Sequence, residues 1–279
     1  MQKIALITDS ACDLDLNTLK ENNINLLPLR IIYSNGDYRD RIDITPQEVY
    51  DNLENEVPKT SLPSAQETEE ILTKLETEGY THVICISISS GLSGSFNAIR
   101  LALEDHPKLT SFVYDSKILA YPQGEIVLEV AKLIKEGKSF EEIVQEIPEI
   151  RKRVIGYFTI NTLEYLKKGG RIGGAAALFG SLLQIRPILT VEDGKTTVFT
   201  KVRTKKKAID KIVNTILEQN SKSPIKGLIV HHINCESEGQ ELANRLKSSL
   251  GLDNVKIQSI GPIIGLHVGP GSIGVAYHY

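Results

Sequence analysis

Between Ser87 and Asn97 the chain reads SISSGLSGSFN, which sets the hydroxyls of Ser89, Ser90, Ser93 and Ser95 around Gly91 and Gly94. Glycines let a backbone approach a ligand, hydroxyls donate hydrogen bonds, and a helix start adds free N–H groups and a positive dipole end. Those are the parts of an anion site. A second hydroxyl-bearing loop, Lys59-Thr-Ser-Leu-Pro-Ser64, offers another contact, and His267 brings an imidazole within a glycine-rich tail, GPIIGLHVGPGSIGVAY. A competing chemistry is nucleophilic. Gly91-Leu-Ser93-Gly94-Ser95 falls one residue short of the G-x-S-x-G elbow, and Ser93, Asp115 and His267 follow the chain order of hydrolase triads. Ser95 replaces the second glycine of that motif, and order does not make a triad. The bland alternative is a strand-to-helix turn with a serine cap.

These residues need elements to hold them. Val83, Ile84, Ile86 and Ile88 form a buried-strand pattern that feeds the serine loop, and Phe96 to Glu104 is helical. The same order opens the chain: a strand over Lys3 to Thr8, a polar turn at Asp9-Ser10, and a helix from Leu14 to about Asn23. Ile24 to Tyr33 is a second apolar run before the Asn35-Gly36 hairpin signal. Thr45-Pro-Gln-Glu48, Ser64-Ala-Gln-Glu67 and Ser139 with Glu142 read as capping boxes. A long helix is expected from about Gly124. Strands alternating with helices predict an α/β protein of two α/β domains, residues 1–153 and 154–279. In the second, a helical run is expected over Ala175 to Ile185, a hairpin around Glu192-Asp-Gly194, and a tight turn before a last strand in the tail. Small residues beside Leu178, Phe179, Leu182 and Leu183 suit either buried packing or a tunnel for a narrow aliphatic chain.

Composition narrows the field. The 279 residues are 41% apolar, with 32 basic and 35 acidic residues and a formal charge of −3, which argues against a general nucleic-acid binder. Cys12, Cys85 and Cys235 are far apart and read as reduced core thiols, not as a disulfide framework or metal site. The first apolar run is too short for a signal peptide and no other approaches a membrane span, so a soluble cytoplasmic protein is expected. Gly269, Gly271 and Gly274 spell a dinucleotide fingerprint without the helix and acidic residue it needs. His231-His232 lacks a ligand set for a metal, and the cluster Lys201, Arg203, Lys205, Lys206 and Lys207 lacks the interleaved aromatics of a nucleic-acid platform.

TDSACDL, KTSLPS, SSGLSGSFN, LKKGGRIGG, RPIL and GLHVGPGSIG, in this order over the whole chain, resemble the DegV family of bacterial fatty acid-binding proteins. The resemblance implies one DegV domain over about residues 3–278, with one long-chain fatty acid such as palmitate held between α/β halves. It implies a lipid-binding carrier without catalysis of its own, needing neither cofactor nor metal. It further implies the acyl-carrying subunit of a fatty acid kinase, whose ATP-using partner converts the carboxylate to an acyl-phosphate for phospholipid synthesis. Carried over by motif, Thr60, Ser93 and His267 would bind the carboxylate, with Ser61 and Asn97 beside them. Gly170, Arg171, Ile172, Leu178 and Leu182 would border the acyl tunnel, and Arg203 would engage the kinase. Contact with a membrane surface would be transient. The chain departs from the family at Ala120-Tyr-Pro-Gln-Gly124, where a Ser-x-Gly-x-Gly helix opening is usual, so Pro122 bears on the tunnel entrance. The rival reading stays a serine acyl hydrolase using Ser93.

Overall fold

The structure, a computed structural model, describes residues 2–178 and 185–279. Leu182, expected along the acyl tunnel, lies outside the described residues, as does most of the expected helix over 175–185. The chain forms two compact units: Met1–Ile44 with Pro58–Lys152, and Thr45–Val57 with Arg153–Tyr279.

In chain order, β1 (Ile4–Asp9), α1 (Leu16–Glu21), β2 (Ile24–Leu27), β3 (Arg30–Tyr33) and β4 (Gly36–Arg39) are followed by α2 (Pro46–Asn52) and β5 (Lys59–Ser61). Next come α3 (Ala65–Thr77), β6 (His82–Ser87), α4 (Ser95–Glu104), β7 (Thr110–Asp115), α5 (Tyr121–Lys135) and α6 (Phe140–Lys152). The expected apolar run from Ile24 divides at Pro28, whose missing N–H ends a ladder. Its two pieces enter different sheets: a parallel β2-β1-β6-β7 sheet and an antiparallel β4-β3-β5 sheet. The core between the parallel sheet and its helices is made by Ile7, Leu72, Val83, Cys85 and Ile99, all essentially inaccessible to water.

Thr45 and Glu48 close the expected capping box, and so do Ser139 and Glu142. At Ser64 only half of one forms. Its hydroxyl caps Glu67 N–H, but the Glu67 carboxylate pairs with Arg30 and Arg39. The helix expected from Gly124 starts earlier, at Tyr121, because Pro122 takes a first-turn place where no N–H is required.

The second unit contains β8 (Val154–Thr159), α7 (Glu164–Lys168), β9 (Arg186–Glu192), β10 (Lys195–Val202), α8 (Lys205–Lys222), β11 (Gly227–His232) and α9 (Glu236–Leu250). It ends with β12 (Lys256–Ser259), α10 (Pro262–Val268) and β13 (Ile273–His278). A sheet of order β10-β9-β8-β13-β11-β12 is backed by α8 and α9 over Ile212, Ile216, Val230, Leu246 and Val275. The β9-β10 hairpin forms as expected. Two expectations change here. Gly173–Leu178 is 3-10 helix, since Gly173 has φ +49° and turns directly against the Thr196 carbonyl. The tail contains the short helix α10 before its turn, with Pro262 in the first turn.

Among the described residues no helix is long and apolar enough to cross a membrane, and no group of His, Cys, Asp and Glu is arranged to hold a metal ion. The three cysteines are free thiols. Burial pushes the Cys12 thiol up to about 12, so it is protonated and unreactive at neutral pH.

Candidate functional site

The serine loop leaves the end of β6, a central strand of the parallel sheet, and carboxylates from both neighbouring strands hold it. From β1, Asp9 accepts Ser87 Oγ at 2.9 Å and Ile88 N–H at 2.8 Å. Its other oxygen accepts Ala11 N–H and Gln123 Nε2, at 3.2 and 3.1 Å. Asp9 is inaccessible to water, and burial raises its pKa against the pull of these donors. From β7, Asp115 accepts Ser90 N–H at 3.0 Å, Ser90 Oγ, and both Lys117 N–H and Lys117 Nζ. Burial opposes ionisation of Asp115, but the hydrogen bonds from Lys117 and Ser90 outweigh it and hold its pKa below the ordinary value.

That clamp fixes the loop's own geometry. Leu92 and Ser93 both donate their N–H to the Ser89 carbonyl, and Ser93 Oγ lies 2.8 Å from Ser95 Oγ. Ser93 is partly buried at the start of α4, whose N-cap, Gly94, offers no side chain to cap the first amides. Asp115 is committed to Ser90 and Lys117, while Ser93 meets a second hydroxyl. Within the first unit the partners of Ser93 and Asp115 are hydroxyl, amide and ammonium groups that hold the loop.

Thr60 lies at the middle of β5, opposite Ile31 of β3, and is partly buried. The two hydroxyl loops meet within the first unit: a Cβ added at Gly94 would stand 3.4 Å from Leu62 Cδ2. Ser61, on the neighbouring pleat, and Asn97, in the first turn of α4, are exposed.

In the second unit, three glycines let side chains lock the tail onto the α7 region. A Cβ at Gly169 would be 2.0 Å from His267 Nδ1, one at Gly269 would be 2.3 Å from the Tyr165 ring, and one at Gly271 would be 2.0 Å from Asn161 Nδ2. His267, on α10, is thus seated on the turn that carries Gly170, Arg171 and Ile172. Arg171 donates to the Gly169 carbonyl at 2.6 Å and is partly buried, as is Ile172. Gly170 is exposed at φ +72° with open space around it, and Leu178 is buried. Burial, with the Arg171 guanidinium nearby, lowers the His267 pKa to about 4. His267 is therefore neutral at physiological pH: a hydrogen-bonding imidazole and not a countercharge. Arg203 is exposed between β10 and the Thr204 cap of α8.

Sequence reasoning missed Asp9, Gln123, Tyr165 and Asn161. Asp9 had been legible only as the end of a strand. The tail glycines were a signal for close approach, but nothing local tells which side chains approach them.

The sequence profile of the DegV family, a family of uncharacterised proteins, matches residues 3–279. A DegV domain-containing protein of Clostridium perfringens is 45% identical over 277 residues, covering 99% of this chain and 98% of its own. The structure of DegV from Bacillus subtilis, described as a fatty acid binding protein, superposes with a TM-score of 0.91 at 32% identity over 100% of both chains. A stearic acid-binding protein from Eubacterium ventriosum gives 0.87 at 29% identity, over 100% of this chain and 98% of the other.

Proposed function

The chain belongs to the DegV family, and from that premise we propose that it binds one long-chain fatty acid non-covalently, as a carrier and not an enzyme. The observation that carries this reading is the meeting of two hydroxyl loops through Leu62 and Gly94, with the Ser93 hydroxyl paired to another hydroxyl instead of a base. Burying a saturated chain contributes roughly 0.8 kcal/mol per CH₂, so a long chain supplies on the order of 10 kcal/mol before ordering costs. The carboxylate must then be hydrogen-bonded, or its burial cancels the gain. We assign that task to Thr60 and Ser93 of the first unit and His267 of the second, with Ser61 and Asn97 in supporting places. Gly170, Arg171, Ile172, Leu178 and Leu182 are assigned to the acyl chain.

Neutral donors bind a carboxylate without masking it behind a cation, which leaves an oxygen open to phosphorylation. On this ground we extend the proposal to presentation of the acid, in the cytoplasm, to an ATP-using kinase subunit that Arg203 engages, with transient membrane contact for loading. Arg203→Ala should leave fatty acid binding intact and reduce phosphorylation of the acid by the kinase; unaltered turnover removes the assignment.

Mass spectrometry under native and denaturing conditions tests the main reading. A fatty-acid-sized mass present in the first and lost in the second is expected, with weaker retention in Ser93→Ala. An acyl adduct on Ser93 that survives denaturation would establish the hydrolase instead, and absence of any bound lipid after incubation with fatty acid would defeat the carrier reading.

A further inference from the structure

Residues 45–57 belong to the second unit although the chain on both sides of them belongs to the first. Their helix, α2, defines itself through the Thr45–Glu48 capping box and Pro46, and it packs on α10. The contact centres on Tyr50, which is 4% exposed. Its hydroxyl donates to the Ile260 carbonyl at 2.5 Å and reaches the Gly261 carbonyl at 3.3 Å, the two residues that lead into α10. Its ring lies across the middle of the same helix: a Cβ at Gly265 would be 2.0 Å from the Tyr50 hydroxyl and 2.5 Å from the ring.

A glycine inside a helix is less favourable than alanine, and a seven-residue helix has little stability of its own. α10 therefore depends on what packs against it. Tyr50 holds its entry and fills the groove left by Gly265. Two residues beyond Gly265 is His267, whose ring must meet the Gly169 turn without a Cβ between them.

We propose that Tyr50 is a positioning residue for His267: hydroxyl and ring together set α10 so that the imidazole sits on Gly169. Its consequence for ligand affinity rests on the fatty acid reading above, whereas the positioning itself does not.

The test uses the full chain without ligand, with the His267 ring signals identified by their loss in His267→Gln and followed by NMR as pH is changed. Tyr50→Phe removes only the hydroxyl. The His267 titration midpoint should rise by about one pH unit as the ring gains water beside Arg171. Gly265→Ala leaves Tyr50 itself intact but takes the space of both its hydroxyl and its ring, and it should move the midpoint the same way. Ile212→Val, a core truncation elsewhere in the second unit, serves as the stability control and should leave it in place. An unmoved midpoint in both Tyr50→Phe and Gly265→Ala overturns the proposal. Fatty acid affinity of Tyr50→Phe, measured separately, should fall about fivefold, the scale of one hydrogen bond. A moved midpoint with unchanged affinity upholds the positioning and counts against His267 as a headgroup ligand.

Discussion

His267 and Gly169 are in contact across almost a hundred residues of sequence, and the imidazole Nδ1 occupies the space a Cβ at 169 would need, 2.0 Å away. Gly169 has φ −77°, a conformation any residue adopts, so glycine is required there for space and not for backbone freedom.

Gly169→Ala should therefore act through His267 alone. Overpacking predicts a loss of about 1–3 kcal/mol in unfolding free energy together with weaker fatty acid binding. In a His267→Ala background the same substitution should cost nothing measurable, because the colliding ring is gone. A double-mutant cycle by urea denaturation checks this, and additive effects would refute the contact.

The neutral state of His267 gives the stability a pH dependence. Its folded pKa is lowered from 6.5 to about 4, so between those values the unfolded chain binds a proton that the folded protein does not. The contribution is complete above pH 6.5 and is lost as pH falls toward 4, by about 3 kcal/mol in all. The difference in unfolding free energy between the native protein and His267→Gln should narrow or reverse across that window. A difference that stays constant from pH 7 to pH 4 would contradict it.

Asp9→Asn should loosen the serine loop. Each carboxylate oxygen of Asp9 accepts two donors, so whichever way an amide is turned its NH₂ faces two N–H or O–H groups. A loss of about 2–3 kcal/mol is expected. Hydrogen exchange should accelerate at Ile88 or at Ala11, whichever amide faces the new NH₂, more than in the core of β6; equal acceleration throughout would point to general destabilisation instead.

Ala120→Gly should stabilise the protein. Ala120 stands at φ 59° and ψ −153°, a region occupied almost solely by glycine, and its N–H is tied to the Ala11 carbonyl at 2.7 Å. Relief of strain outweighs the extra entropy of glycine in the unfolded chain, for a net gain of about 1 kcal/mol. A higher urea midpoint with unchanged m-value is the expected result, and an unchanged or lower midpoint counts against strain at this residue.

Sequence by itself determined the features whose causes are local. Strand and helix periodicities, the Thr45 and Ser139 capping boxes and the hydroxyl loop at Ser93 depend on residues a few positions apart and appear where those residues stand, while the hairpin signalled by Asn35-Gly36 turns one residue earlier, at Ser34-Asn35, with Gly36 paired to Tyr33. What the tertiary structure decided lay in encounters between distant residues. Asp115 looked like the acid of a triad but binds Ser90 and Lys117, since the ends of β6 and β7 lie side by side. The tail read as a turn, yet Pro262–Val268 is helical, with Tyr50 supplying from some 210 residues away the packing that so short and glycine-containing a segment lacks. The protonation state of His267 was equally out of reach. It follows from burial against Gly169 and from the nearby Arg171 charge, and neither environment is written in the residues next to His267.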